Sequence, residues 1–242
     1  MRADQLLVAK GLAPTRSAAQ RLIEHGAVQC AGKVLKKAGE DVSEHAQLVI
    51  TDDAELRYVS RGGLKLEGAL KTSGIAVAGL HALDIGQSTG GFTDVLLKAG
   101  AAHVTGIDVG HSQLHAALRE DARVTALENQ HVREFVPAQS FELIVGDLSF
   151  ISMLGELERI SKWLAPAGQM LLLIKPQFEL GKKALNKGGL VKDRKQYAEL
   201  EERARAALAP LNVTERGWFE SPVTGGDGNT EFFLWAQQQQ VK

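Results

Sequence analysis

From residue 58 onward the chain repeats one pattern. Short apolar, β-branched runs end on a polar residue or a glycine, and helical stretches separate several of them. The runs are HALDIG, HVTGIDVG, RVTALEN, FELIVGDLSF and QMLLLIKPQF. Strands covered on both faces read as continuous apolar segments, and parallel neighbours need crossovers between them. The pattern therefore predicts an α/β chain with a doubly wound, mostly parallel sheet. NVTERGWFES and EFFLWAQQ follow a long helix over 193–209 with no helix between them, which predicts an antiparallel hairpin at the sheet edge. The terminal QQQQVK is expected to fray.

The first 57 residues read differently, as a small α+β module. Asp4 is placed to cap a helix over QLLVAK that Gly11 ends, and Thr15 to cap a second, RSAAQRLIEHG, closed by Gly26. AVQCAGKVLKK alternates like a hairpin with Ala31-Gly32 near its turn, QLVIT adds a strand, and DDAELR forms an acidic linker. The formal net charge of −1 argues for no polyanionic partner, but its distribution does. Through Lys37 the basic residues Arg2, Lys10, Arg16, Arg21, Lys33, Lys36 and Lys37 face only Asp4 and Glu24. Arg16, Gln20 and Glu24 share one helical face with Arg21 beside them, so Arg2, Arg16, Gln20, Arg21, Lys33, Lys36 and Lys37 are candidate contacts to a phosphate backbone. One basic helix alone is better read as a soluble face. LxxxGLAPTRSAAQRLIEHGAVQCAGKVLKK, however, resembles the αL-type RNA-binding module of a small-subunit ribosomal protein, which implies RNA binding through phosphates and shape.

LDIGQSTGGFTDVLL leaves a strand and opens a helix, where α/β sheets bind ligands. Gly86, Gly90 and Gly91 permit close backbone approach, Ser88 and Thr89 supply hydroxyls, and Phe92 begins the helix. The dinucleotide fingerprint is not matched, because Gln87-Ser88 follows Gly86. That weakens a dehydrogenase reading. Asp84 at the strand end would repel a pyrophosphate but suits the ammonium of S-adenosylmethionine. Asp108, roughly twenty residues on, is placed for ribose hydroxyls. Glu128 or Asn129, ending the third strand, is placed for the adenine edge.

Lys65, Asp147, Lys175 and Glu231 fall at ends of elements around the same sheet edge. Taken singly, each is better explained as a solvated or capping charge. If they converge, a lysine lies between carboxylates. A neutral amine there can take the proton of a ribose hydroxyl. The usual motifs for other acceptors are missing: Asp147-Leu148-Ser149-Phe150 lacks the prolines of amino-group methylation, and Cys30, the single cysteine, lies far from the loop. One cysteine also leaves no multi-cysteine metal site, and no metal is expected.

Together SRGGLKL, LDIGQSTGGFTD, GDLSFIS, IKPQFE and GGDGNTEFF resemble the FtsJ-like ribose 2′-O-methyltransferases. With the N-terminal module, nearly the whole chain resembles the TlyA family of hemolysin-named rRNA methyltransferases. The resemblance implies a Rossmann-like class I methyltransferase sheet over 58–242 and an RNA-binding domain with linker over 1–57. It implies S-adenosylmethionine as cofactor, 2′-O-methylation of cytidine in ribosomal RNA or ribosomal subunits, and Lys65, Asp147, Lys175 and Glu231 as catalytic, with Lys175 as base. The loop GKKALNKGGLVKD, through Lys182, Lys183 and Lys187, and the joint residue Arg61 are further candidate RNA contacts; the loop is expected to order only on RNA.

Two rival functions remain. A membrane-active cytolysin is suggested only by the family's name, for no apolar run approaches the ~20 residues of a membrane span and MRADQLLVAKGL is too short and charged for a signal peptide. A cytoplasmic protein with no obligate protein partner is expected instead. The other rival is an RNA-binding assembly factor with a dormant cofactor fold.

Overall fold

A computed structural model describes residues 1–53 and 56–239. The middle of the expected acidic linker (54–55) and the end of the tail (240–242) lie outside the described residues. The chain divides into two compact units, Met1–Arg61 and Gly62–Lys242.

In the first unit, α1 (Ala3–Ala9) and α2 (Arg16–Glu24) pack on a small antiparallel sheet of order β2-β1-β3: β1 (Val28–Cys30), β2 (Lys33–Val34) and β3 (Leu48–Ile50). Its core is aliphatic, built on Leu6, Leu7, Leu22, Ile23, Val28 and Leu48. Thr15 caps α2 as expected, its Oγ1 accepting from Ala18 N at 3.2 Å. Asp4 does not cap α1. Arg2 takes the cap position without a side-chain capping bond, and Asp4 sits inside the first turn, fully buried. The cap expectation fails because three side chains from outside that turn claim the carboxylate.

The second unit is a seven-stranded sheet of order β6-β5-β4-β7-β8-β10-β9. It opens with α3 (Gly62–Ser73), then β4 (His81–Ile85), α4 (Gly91–Lys98), β5 (His103–Ile107), α5 (Ala116–Arg119), β6 (Val124–Leu127) and β7 (Phe141–Gly146). There follow α6 (Leu157–Ser161), β8 (Leu164–Ile174), α7 (Pro176–Glu179), α8 (Lys195–Leu208), β9 (Val213–Glu220) and β10 (Phe232–Gln238). The strands β6, β5, β4, β7 and β8 run parallel, and the expected hairpin is present with a refinement: β10 inserts antiparallel beside β8, leaving β9 at the edge. The expected α/β fold class is borne out. β8 begins well before QMLLLI because Leu164 pairs with Phe141, with a register shift before Leu143 meets Gln169.

The apolar strands account for this arrangement. Leu83, Ile85, Ile144, Met170, Leu172, Ile174 and Leu234 join one core with Ile160 and Leu200 from the covering helices and Met153 from the segment after β7. After β4 the chain builds outward through β5 to β6, then returns to the other side of β4 with β7. The carboxyl ends beside β4 thus flank a topological switch point, where α/β sheets bind ligands.

Candidate active site

A cavity of about 650 Å³ opens at these strand ends. Gly86, Ser88, Asp108, Val109 and Gly110 line one side, Gln130, His131 and Val132 a second, and Asp147 to Ile151 the third. Gly86 holds φ +83°, and a Cβ there would stand 2.6 Å from the Asp147 carbonyl oxygen, so the loop can pass that close only as glycine. At Gly106 on β5, a Cβ would overlap the Gln87 amide at about 2 Å. Gln87, which breaks the dinucleotide fingerprint, folds inward over that glycine. Its Nε2 donates to Thr93 Oγ1 at 2.9 Å, and Thr93 donates to Asp84 Oδ2 at 2.7 Å.

The acids predicted for a cofactor fare differently. Asp108 lines the cavity; its Oδ2 accepts from Ser88 N at 2.8 Å and its Oδ1 from Gly110 N at 2.6 Å. Asp84 lies just behind the wall formed by Ile85 and Gly86, fully buried, and its Oδ1 has no hydrogen-bond partner among the described residues. Burial pushes its pKa up to about 7, against the hydrogen bond from Thr93. Glu128 turns away: it binds Arg119 at 2.7 Å, and that guanidinium holds its carboxyl down at about 2. Asn129, at φ +57°, and Glu128 are absent from the cavity lining. Of the loop, Gly90 is the left-handed cap of α4, where Gly91 begins, Thr89 accepts from His115 N through its carbonyl, and Phe92 is buried against Phe233.

Beside the cavity the four ionisable residues form two pairs. Ile174 of β8 is in register with Phe232 of β10, so Lys175 and Glu231, each the next residue beyond the sheet, emerge as neighbours. Lys175 Nζ lies 2.5 Å from Asp147 Oδ1 and donates to Ser149 Oγ at 2.8 Å. Lys65, on the buried face of α3 with Leu66 and Ala69, reaches Glu231 Oε2 at 2.5 Å. Burial raises the Glu231 pKa and the Lys65 charge opposes this; Asp147 and Lys175 also act on it electrostatically, which ties the two pairs into one group.

Several residues of this region carried no clear signal in the sequence. Phe150 is 88% exposed on the cavity rim at φ +70°, with its ring 5.4 Å from that of Phe178. A non-glycine residue in that conformation is strained, and such strain persists where surrounding structure enforces it. Glu179 anchors the segment that follows Phe150. Buried at the end of α7, it accepts from Ser152 Oγ at 2.6 Å and Met153 N at 2.7 Å. Asn229, also buried, accepts from Val191 N and donates to the Gly189 carbonyl, holding the 181–193 loop whose Lys182, Lys183 and Lys187 are exposed. In the first unit Lys33, Lys36 and Lys37 are exposed, Arg21 and Arg61 half-buried. Arg2, Arg16 and Gln20 converge on Asp4. Among the described residues no His, Cys, Asp and Glu side chains cluster as a metal site, and no helix is long and apolar enough to cross a membrane.

A switch-point cavity edged by glycine and carboxylate, on a sheet ending in an antiparallel hairpin, defines a class I methyltransferase fold. Residues 58–238 match the FtsJ-like methyltransferase model, and residues 1–48 match the S4 domain. A relative from Mycobacterium tuberculosis, named 16S/23S rRNA (cytidine-2′-O)-methyltransferase TlyA, is 42% identical over 98% of this chain and 90% of that protein. A solved structure from Streptococcus thermophilus, titled as a hemolysin, superposes with a TM-score of 0.77 at 36% identity, covering 99% of this chain and 88% of that one. An S-adenosylmethionine-dependent methyltransferase from Mesorhizobium loti shares the fold at TM-score 0.55 and 17% identity, over 72% of this chain and 98% of that one. The chain belongs to the TlyA family of FtsJ-like methyltransferases.

Proposed function

We propose that this protein methylates the ribose 2′-oxygen of a cytidine in ribosomal RNA, using S-adenosylmethionine. The observation that carries the reading is the pairing of Lys65 with Glu231 and of Lys175 with Asp147 beside the cavity. In this reading residues 1–57 are the RNA-binding domain and linker and 58–242 the catalytic domain; a ribosomal substrate implies a cytoplasmic site of action.

The residues present fit S-adenosylmethionine. The unpartnered Asp84 Oδ1 and the Asp147 carboxylate favour a cation, Asp108 is an acceptor suited to ribose hydroxyls, and Ile107, Val109, Val132, Leu148 and Ile151 give apolar walls. Bound there, the cofactor supplies an electrophilic methyl group. Acting from its neutral form, after its ammonium proton has passed to solvent, Lys175 takes the 2′-hydroxyl proton as the oxygen attacks, and Asp147 stabilises the ammonium that re-forms. Lys65 neutralises buried Glu231, so that the strand end carries no unpaired charge. Holding hydroxyl and base in line supplies much of the rate. Lys33, Lys36, Lys37, Lys182, Lys183 and Lys187 are placed for phosphates.

Phe150 is proposed as a stacking surface for the target base or its neighbour. Base–aromatic stacking contributes ~1–3 kcal/mol. Phe150→Ala is therefore expected to raise KM for RNA by roughly 5- to 150-fold, with cofactor affinity unchanged in calorimetry. An equal loss of cofactor affinity would mean that the ring only shapes the cavity.

Asp84 predicts a pH effect. A carboxyl whose pKa is raised to about 7 stays neutral below that pH and gains charge above it. Affinity for the cationic cofactor is expected to rise as pH increases through 7. Stability of the cofactor-free protein runs the other way. The raised pKa stabilises the fold fully below pH ~4, the ordinary carboxylate range, and that contribution is lost as pH rises through about 7. Asp84→Asn should flatten both profiles, read by calorimetry and thermal melting; profiles unchanged in the variant would place the titration elsewhere.

A test of the function itself is incubation with labelled S-adenosylmethionine and ribosomal particles. Transfer of label to a 2′-oxygen is expected. RNA binding without cofactor binding would instead favour an assembly factor, and lysis of cells by pure Lys175→Ala protein a cytolysin.

A further inference from the structure

We infer that Asp4 is a positioning residue for RNA recognition, a buried anion that fixes Arg2, Arg16 and Gln20 as one array for backbone phosphates. The inference rests on the RNA-binding reading of the N-terminal unit and names what organises that surface.

Asp4 is 0% exposed within the first turn of α1. Arg2 grips it with two parallel bonds, Nε to Oδ1 and Nη2 to Oδ2, each 3.0 Å. From α2, Arg16 Nε donates to Oδ2 at 3.2 Å and Gln20 Nε2 to the same oxygen at 2.9 Å. These donors hold the Asp4 carboxyl well below the usual carboxylate range, Arg2 foremost. Gly39 leaves room for the Arg2 head, since a Cβ there would stand 3.1 Å from Nη1.

Asp4 is shared by two guanidinium cations and Asp41 also acts electrostatically on Arg2, so the uncompensated positive charge of the cluster falls on Arg16. Both arginines remain open to solvent, 42% and 53% exposed as side chains. Such a planar fork can satisfy an internal carboxylate with one edge and a phosphate with the other; a lysine ammonium has no second edge. Fixing long side chains beforehand removes an ordering cost at binding. The network also ties α1 to α2, and a purely structural role would end there.

Charge and pre-organisation predict opposite signs. Asp4→Asn adds one net positive charge, so simple attraction would tighten every RNA. If Asp4 positions the array, the full-length variant binds purified ribosomal RNA roughly tenfold more weakly, while poly(A) binding is unchanged or tighter. Arg16→Lys, which keeps the charge on an exposed helix face, should show the same selective loss and decides the matter if Asp4→Asn fails to fold. Equal weakening on both RNAs, or tightening on both, overturns the inference. Wild-type protein that prefers ribosomal RNA, with variants that keep that preference, overturns it alone; wild-type protein with no preference removes the RNA-binding reading beneath it.

Discussion

Lys175→Ala is expected to lower kcat by roughly 10²–10⁴-fold, the usual contribution of a positioned acid or base. The side chain lies between Asp147 Oδ1 and Ser149 Oγ, a step past the sheet. Removing it leaves the cavity walls in place, so S-adenosylmethionine affinity should stay near wild type in calorimetry. Lys175→Arg separates two roles. Arginine keeps the positive charge but does not give up its proton in proteins. If Lys175 acts only as a fixed charge, the arginine variant recovers much of the rate; if it is the base, both variants are equally slow. A Lys175→Ala enzyme at full rate would remove it from the mechanism.

Asp108→Ala is expected to weaken S-adenosylmethionine binding by roughly 10²-fold. Hydrogen bonds to a charged acceptor contribute ~1.5–3 kcal/mol each, and 1.4 kcal/mol is a factor of ten. Asp108 also accepts from Ser88 N and Gly110 N, so its loss frees the loop that edges the cavity. Asp108→Asn, which keeps one acceptor oxygen, should fall between. Calorimetry reads both constants, and unchanged affinity in the alanine variant would place the ribose elsewhere.

What was legible in the sequence was what local pattern controls. The parallel strands stand out because burial on both faces demands unbroken apolar runs, as in LIVG and LLLI. Thr15 reads as a cap because capping is decided within one turn. Asp4 misleads for the complementary reason. Its position suits a cap, but its partners Arg16 and Gln20 come from the next helix, and only packing reveals them. Glu128 ends its strand as expected, yet Arg119 from α5 takes its carboxylate away from the cavity. The cavity wall at Leu148 to Ile151 includes Phe150 at positive φ, and Glu179 anchors the residues just after it, neither of which a linear pattern records. By contrast, the meeting of Lys175 with Glu231 follows from strand ends and one register.

The central claim is that the two ion pairs beside the cavity serve ribose methylation. The most direct measurement maps 2′-O-methyl groups in ribosomal RNA after incubation of unmodified ribosomal particles with S-adenosylmethionine and either wild-type or Lys175→Ala protein. The account predicts a new 2′-O-methylcytidine with the wild type and none with the variant. Label on a base, on protein or nowhere, or equal methylation by the variant, would contradict it.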